Sequence, residues 1–139
     1  MAQVRYLIDT SALARLHRTH VAAVIAPLVA AREVALCAPV AFELGFSARS
    51  APDHAELADR LHAFPMAPVT AADHDRALEL QGLLAEQGRH RALSLVDALV
   101  TAVAETRGLT ILHYDADFEL VAELTGQPHE WVVERGTAD

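Results

Sequence analysis

The sequence predicts an α/β fold built on a largely parallel β-sheet, and three observations support this. Short apolar runs alternate with helical patterns along the whole chain, which is typical of βαβ units. The chain has 139 residues, of which 53% are hydrophobic and 22% are charged, so it can bury a sizeable core. No internal repeat, linker or low-complexity tract interrupts the alternation. We therefore expect a single domain over residues 1–139.

The first elements are marked by an apolar run and by short polar residues. Val4–Asp9 predicts a buried strand that ends in an acid. Thr10 or Ser11 is expected to cap a helix over Ala12–Arg18. The next elements are expected to be a helix over His20–Arg32 that Pro27 kinks or breaks, a strand over Val34–Ala38, and a helix from Pro39 to Ser47.

In the second half of the chain, glycines mark the ends of helices. Gly88, Gly108 and Gly126 suit the left-handed conformation that follows a last helical turn. Residues 135–139 are expected to fray. The remaining elements are expected to be a helix over Ala55–Phe64 capped by Asp53, an extended piece over Pro65–Thr70, a helix from Thr70 or Asp73 to Gln87, a helix from Ser94, a strand over Leu109–Tyr114, a helix over Phe118–Leu124 and a strand over Glu130–Val133.

Charge and cysteine content restrict the possible functions. The formal net charge of −8 argues against broad attraction to nucleic acid and fits a site that concentrates carboxylates. All 11 basic residues are Arg, and the absence of Lys excludes a Schiff-base or P-loop lysine. The only cysteine, Cys37, cannot form an internal disulfide, which favours a cytoplasmic location. No apolar run suffices for a membrane helix or a signal peptide, so we expect no membrane partner.

The helix that begins near Ser94 carries a carboxylate on its apolar face. At 100° per residue, Asp97 lies on the same side as Leu93, Val100 and Ala104. A charge there is costly unless something compensates it, and no basic residue lies within one helical turn. Asp97 therefore caps a backbone group, is protonated, or faces a cation.

Further acids are placed in a similar way. Asp9 and Asp115 end predicted strands, and the carboxyl ends of parallel strands form one rim. Glu43 lies at the margin of an apolar helix face. Taken singly, each acid is explained by a turn, a cap or an exposed helix position, and for Asp117 a helix cap explains as much as a metal role. Taken together with Asp97, they predict a site for Mg²⁺ or Mn²⁺.

Two pairs of arginines are expected near this rim. Arg15 and Arg18 lie on the first predicted helix, and Arg89 and Arg91 precede the helix of Asp97. Both pairs are candidates for contacts with phosphates near the rim. For any one of them, a solvated polar face is the alternative.

Four motifs of this chain are Leu7–Leu13, Phe42–Leu44, Ser94–Val100 and Leu112–Phe118. Together they resemble a PIN domain, and most closely a VapC-type toxin of bacterial toxin–antitoxin pairs. The resemblance implies a three-layer sandwich whose central, mostly parallel sheet is flanked by helices. It implies an endoribonuclease that depends on Mg²⁺ or Mn²⁺ and cleaves structured RNA, such as tRNA or rRNA, with metal-activated water. Carried over by position, the catalytic and metal-binding acids are Asp9, Glu43, Asp97 and Asp115, with Asp117 as an auxiliary acid and Ser11 as a hydroxyl near the metal.

The resemblance also implies protein partners. A VapB-like antitoxin usually wraps such a toxin, and the toxins usually form homodimers. Two apolar segments, Pro27–Ala31 and Leu57–Phe64, are candidates for a groove that takes an antitoxin helix, with ordinary core packing as the alternative.

Three alternative functions stay open. A phosphotransferase of the haloacid-dehalogenase kind also uses a strand-end Asp, but it needs a second acid where this chain has Ser11, and a lysine. A catalytically inactive PIN-like module would bind protein or RNA and show no metal-dependent thermal shift. A metal-dependent DNA nuclease would be distinguished by a panel of substrates.

Overall fold

The computed structural model describes residues 3–139. Residues 1 and 2, which the expected single domain over residues 1–139 includes, lie outside the described residues. The elements in chain order are β1 (Tyr6–Ile8), α1 (Thr10–Leu13), α2 (Thr19–Ala30), β2 (Val34–Cys37), α3 (Ala38–Phe46), α4 (Ala51–Leu61), β3 (Met66–Ala67), α5 (Ala71–Glu86), α6 (Leu95–Arg107), β4 (Thr110–His113), α7 (Asp117–Thr125) and β5 (His129–Trp131).

The strands form one parallel sheet of five strands in the order β3-β2-β1-β4-β5. In the central strand β1, Leu7 lies opposite Ala35 of β2 and Ile111 of β4. Because every pair is parallel, all the strands end at the same edge of the sheet. The predicted α/β fold, a central parallel sheet flanked by helices, is confirmed.

The core sits between the sheet and the helices that cover it. Leu7, Ile8 and Ile111 are fully buried, as expected for central parallel strands covered on both faces. Helix α6 is buried over residues 97–104, which is why an acid in its first turn has apolar neighbours. Among the helices of residues 3–139, none has the length and apolar character needed to cross a bilayer.

Capping side chains and glycines set the helix ends. The hydroxyls of Thr70 and Ser94 accept the backbone N–H groups of Asp73 and Asp97, at 3.2 and 3.1 Å, at the starts of α5 and α6. Gly108 ends α6 with φ +66°, a conformation that a Cβ would strain. The predicted starts at Thr70 and Ser94 and the predicted stop at Gly108 are confirmed.

The first helix differs from its prediction over Ala12–Arg18. Helix α1 spans only Thr10–Leu13. Its cap is Asp9, not Thr10 or Ser11, because Oδ2 of Asp9 accepts the N–H of Ser11 at 3.0 Å. The cap therefore ties the strand-end acid to the start of the helix.

Two other helices also differ from expectation. The sequence predicts a kink or a break at Pro27, and helix α2 continues through this residue without a break. Pro27 and Ala23 are both exposed, so water can satisfy the carbonyl group of Ala23 that loses its helical partner. Helix α4 begins at Ala51 because Ser50 caps it, whereas Asp53 lies inside its first turn.

The prediction that residues 135–139 fray is wrong. Ala138 is only 2% exposed, and its N–H donates to the hydroxyl oxygen of Tyr114 at 2.9 Å. The ring of His20 lies 3.1 Å from the carbonyl oxygen of Thr137. These contacts hold the C-terminal segment against the body of the protein.

Candidate metal-dependent active site

The carboxyl ends of β1 and β4 bring two acid-bearing loops together. Asp9 follows β1, and its N–H donates to the carbonyl of Leu112 in β4 at 2.9 Å. In the loop after β4, which carries Asp115, the N–H of Tyr114 donates to Oγ of Ser11 at 2.8 Å. Adjacent strands therefore place both predicted acids at one edge of the sheet, with Ser11 joining their loops.

The tightest acidic cluster contains Asp97, Asp115 and Asp117. Each offers a carboxylate oxygen, and these oxygens all lie within 4.8 Å of one another. The N–H of Asp117 donates to Oδ1 of Asp115 at 2.9 Å. Asp115 therefore fixes the first residue of α7 from the loop before it. The carboxylate of Asp117, which the sequence ranks as auxiliary or capping, belongs to the central group.

Asp9 and Glu43 stand beside this cluster. Asp9 is 3% exposed, and its Oδ1 is buried without a hydrogen-bond partner, while Oδ2 caps α1. A buried oxygen without a partner is costly, so it marks a position where a ligand would be stabilising. Glu43, in α3, is exposed and outside the group of three, but its charge acts on Asp9.

Burial and nearby negative charge disfavour the ionised forms of Asp97 and Asp9. Burial, followed by the charges of Asp9, Asp115 and Asp117, raises the pKa of Asp97 to about 7. Burial also raises the pKa of Asp9, with smaller contributions from the charges of Glu43 and Asp115. Within residues 3–139, no cationic side chain forms an ion pair with any of these five acids.

This donor set fits a hard divalent cation. Mg²⁺ and Mn²⁺ prefer carboxylate oxygens, and the cluster of Asp97, Asp115 and Asp117 supplies them. The unpartnered Oδ1 of Asp9 adds a further oxygen beside it. A bound cation would reverse the electrostatics of the site. Its positive charge would stabilise the ionised form of these carboxylates, which otherwise repel one another.

Two histidines lie behind Asp115. Nδ1 of His113 accepts the N–H of Asp115 at 3.0 Å, so Nε2 of His113 carries the proton. That Nε2 lies 2.8 Å from Nδ1 of His129. Burial, and to a smaller extent His129, lower the pKa of His113 to about 3. His113 is fully buried and therefore orients the backbone of Asp115 as an uncharged core residue.

The first pair of predicted RNA-contact arginines is largely engaged within the protein. Nε of Arg15 donates to the carbonyl of Ala138 at 2.9 Å, and Nη1 donates to the carbonyl of Ser11 at 2.8 Å. Nε of Arg18 is buried, and Nη2 lies 3.5 Å from the carbonyl oxygen of Asp139. These arginines hold the C-terminal segment.

The second pair is free. Arg89 and Arg91 are exposed in the turn that precedes α6. No hydrogen bond joins either guanidinium group to another side chain or carbonyl of residues 3–139. Both lie in the chain shortly before the first turn of α6, which carries Asp97.

An apolar groove separates α2 from α4. It is a cavity of about 470 Å³ lined by Val29 and Ala30 on one side and by Leu57, Leu61 and Phe64 on the other. The structure thus brings together the two apolar segments that the sequence singled out.

Known proteins resemble this chain over nearly its whole length. The family model of the PIN domain matches residues 6–124. Ribonuclease VapC51 from Mycobacterium tuberculosis is 43% identical over 136 residues, which cover 98% of each chain. Ribonuclease VapC21 from the same species is 41% identical over 135 residues, which cover 96% of this chain and 98% of the relative.

Solved structures support the fold. The DNA-bound VapBC structure from Salmonella typhimurium has a TM-score of 0.78 at 14% identity and covers 94% of this chain and 100% of the matched one. VapBC-1 from nontypeable Haemophilus influenzae has a TM-score of 0.75 at 13% identity, with the same coverage of 94% and 100%.

Proposed function

This chain belongs to the PIN-domain family, and we propose that it is a VapC-type endoribonuclease, the toxin of a toxin–antitoxin pair, that depends on Mg²⁺ or Mn²⁺. The observation that carries the proposal is the cluster of Asp97, Asp115 and Asp117 at the rim, with the unpartnered Oδ1 of Asp9 beside it. All-oxygen donors suit these ions, and relatives close in sequence are named ribonucleases.

The chain's own residues have separate roles in this proposal. Asp97, Asp115 and Asp117, with Asp9, hold the cation, while Ser11 and His113 orient the loops of Asp9 and Asp115. Glu43, which is exposed on α3 and whose charge acts on Asp9, is a further ligand, directly or through water. When bound, a divalent cation supplies positive charge that stabilises the transition state of phosphodiester hydrolysis.

The reaction consumes one water molecule for each bond cut. Water attacks the phosphorus, the bond to the 3′ oxygen breaks, and that oxygen leaves with a proton. The products are a 5′-phosphate and a 3′-hydroxyl, since the 2′-hydroxyl of the RNA takes no part.

Incubation with RNA tests the activity and its metal dependence together. We expect purified protein to cut total bacterial RNA into discrete fragments with Mg²⁺ or Mn²⁺, and EDTA to abolish the cutting. Separate tRNA, rRNA and DNA substrates identify the target, which we propose to be a structured tRNA or rRNA. Equal cutting of DNA would favour a DNA nuclease. No cutting, together with no metal binding in calorimetry, would favour an inactive binding module.

Arg89 and Arg91 are proposed to contact RNA phosphates. Replacing both by Gln should weaken RNA binding on the order of 10-fold and make the dependence of log K on log [salt] shallower by about 2, because two phosphate contacts are lost. Binding is measured with Asp97→Asn protein so that the RNA stays intact. Arg5→Gln is the control, since Arg5 pairs with Glu33 near the opposite edge of the sheet. Equal salt slopes for both proteins would contradict the proposal.

The groove between α2 and α4 is proposed to take an apolar helix of a VapB-like antitoxin. Its lining is almost entirely apolar, with Arg60 at its margin. Such a groove fits the helix-in-groove mode of recognition, in which apolar side chains one turn apart enter the cavity. The solved VapBC structures from Salmonella typhimurium and Haemophilus influenzae contain chains of the same fold.

A homodimer and a cytoplasmic location are also proposed. Phe42 and Phe46, one turn apart on α3, are 79% and 85% exposed, and a second copy of the chain would cover them. Sedimentation of the purified protein measures whether it is a monomer or a dimer. Cys37 is a buried free thiol whose pKa burial raises to about 11, which suits a reducing compartment.

A further inference from the structure

The C-terminal segment, residues 134–139, is anchored by one buried hydroxyl. The hydroxyl oxygen of Tyr114 accepts the N–H groups of Gly136 at 2.8 Å and Ala138 at 2.9 Å. The same hydroxyl donates to Oδ1 of Asp139 at 2.9 Å. Tyr114 is 6% exposed, so its three hydrogen bonds are shielded from water. The segment is therefore fastened to the residue that immediately precedes Asp115.

Arg15 makes a second connection at the same place. Its guanidinium carbon lies 4.5 Å from the centre of the Tyr114 ring. Nε donates to the carbonyl of Ala138 at 2.9 Å, and Nη1 donates to the carbonyl of Ser11 at 2.8 Å. One side chain thus joins the C-terminal segment, the start of α1 and the loop after β4.

Ser11 connects this network to the acids. Its Oγ accepts the N–H of Tyr114 at 2.8 Å, and its own N–H donates to Oδ2 of Asp9 at 3.0 Å. Asp115 follows Tyr114 directly in the chain. The loops of Asp9 and Asp115 are thus joined to each other and, through Tyr114 and Arg15, to residues 134–139.

We propose that Tyr114 and Arg15 are positioning residues, which use the docked C-terminal segment to hold the carboxylates of Asp9 and Asp115 in the arrangement that binds the cation. The proposal rests on the proposed function, because it concerns the cation of the same site. Neither residue touches substrate or metal in this role. Groups that orient metal ligands typically change metal affinity by about 10- to 100-fold when removed.

Tyr114→Phe is the sharpest test, because it removes the hydroxyl and keeps the ring under Arg15. We expect Mn²⁺ affinity, measured by calorimetry, to fall on the order of 10-fold. At a fixed, limiting Mn²⁺ concentration kcat should fall, while KM for RNA stays unchanged. In the metal-free protein, amide exchange at position 114 and at Asp115 should become faster.

Tyr6→Phe is the matched control. It removes another tyrosine hydroxyl, which donates to Glu130 at 3.1 Å and has no link to the acid-bearing loops. We expect this variant to keep the Mn²⁺ affinity, the kcat and the exchange rates of the unaltered protein.

Removal of residues 135–139 completes the test. The shortened chain should lose Mn²⁺ affinity to the same extent, and adding Tyr114→Phe to it should cause little further loss, because the hydroxyl acts through the segment. If Tyr114→Phe lowers only Tm and leaves Mn²⁺ affinity and exchange unchanged, the segment merely stabilises the fold and the proposal is overturned. If the unaltered protein binds no Mn²⁺, the proposed function fails, and the exchange measurement still decides whether the hydroxyl holds the loops.

Discussion

Asp97→Asn should abolish RNA cleavage and leave the protein folded. Asp97 contributes an oxygen to the tightest acidic cluster, and Asn replaces its charged carboxylate by a neutral amide that binds a divalent cation far more weakly. We expect a loss of at least about 100-fold in kcat, since several kcal/mol of charge stabilisation depend on the cation and each 1.4 kcal/mol is a factor of ten. Fragment formation from RNA at saturating Mn²⁺, with circular dichroism of the same sample, measures both outcomes.

The same substitution should stabilise the metal-free protein at neutral and higher pH. In the folded state the pKa of Asp97 is raised from 3.8 to about 7. As the pH rises, the carboxyl group of Asp97 therefore ionises in the unfolded chain before it ionises in the folded protein. The cost to folding is absent below about pH 4, grows between about pH 4 and pH 7, and is complete above. Melting curves in EDTA should therefore coincide for both proteins near pH 4, and the variant should have the higher Tm at pH 8.

Asp75→Asn is the control for both measurements. Asp75 is an exposed acid of α5 outside the acidic cluster, so its replacement should change neither cleavage nor the pH dependence of Tm. Unimpaired cleavage by Asp97→Asn would refute the assignment of the site. A lower Tm of Asp97→Asn at pH 8 in EDTA would show that burial and nearby negative charge do not make ionised Asp97 unfavourable in the folded protein.

Ala26→Glu should prevent the antitoxin from binding. Ala26 is an exposed residue of α2 that lines the apolar groove, so the free protein should tolerate a longer, charged side chain. Against an apolar helix, the new carboxylate would be buried without a partner, which costs several kcal/mol or displaces the helix. We expect affinity for the antitoxin to fall at least about 100-fold, measured by calorimetry, and co-expressed antitoxin to lose its protective effect.

The matched variant is Ala72→Glu, the same change at an exposed position in the first turn of α5. It should bind the antitoxin normally, and both variants should retain RNA cleavage in the absence of antitoxin. If Ala26→Glu binds the antitoxin as tightly as Ala72→Glu does, the groove is not the docking surface.

The sequence predicts the sheet and the rim well because both depend on local patterns. Apolar runs that end in an acid, such as Val4–Asp9, identify strands of a parallel sheet and the edge where their acids meet. Asp97 stands out because its carboxylate lies on a helix face that is otherwise apolar. The cap residues Thr70 and Ser94 are equally local signals, and the structure confirms them.

What the sequence does not predict depends on contacts between distant residues. Arg15 is 123 residues from Ala138, and no periodicity or spacing pairs them. For this reason the docking of residues 135–139 and the shared role of Tyr114 were not foreseeable. The short α1 has a similar cause, because the residues after Leu13 turn to reach the C-terminal segment rather than extend the helix. Asp117 belongs to the acidic cluster because α7 begins close to Asp97. This proximity also depends on tertiary packing and not on a local pattern.

The neutral ring of His113 limits which groups can release protons when a cation binds. Nδ1 of His113 is occupied by the N–H of Asp115, and the ring stays neutral down to acidic pH, so the imidazole has no proton to give up. We therefore expect Asp97, whose pKa is raised to about 7, to be the chief source of protons released on metal binding. Calorimetry in buffers of different ionisation enthalpy should then count close to one proton per cation near pH 6 and far fewer near pH 8.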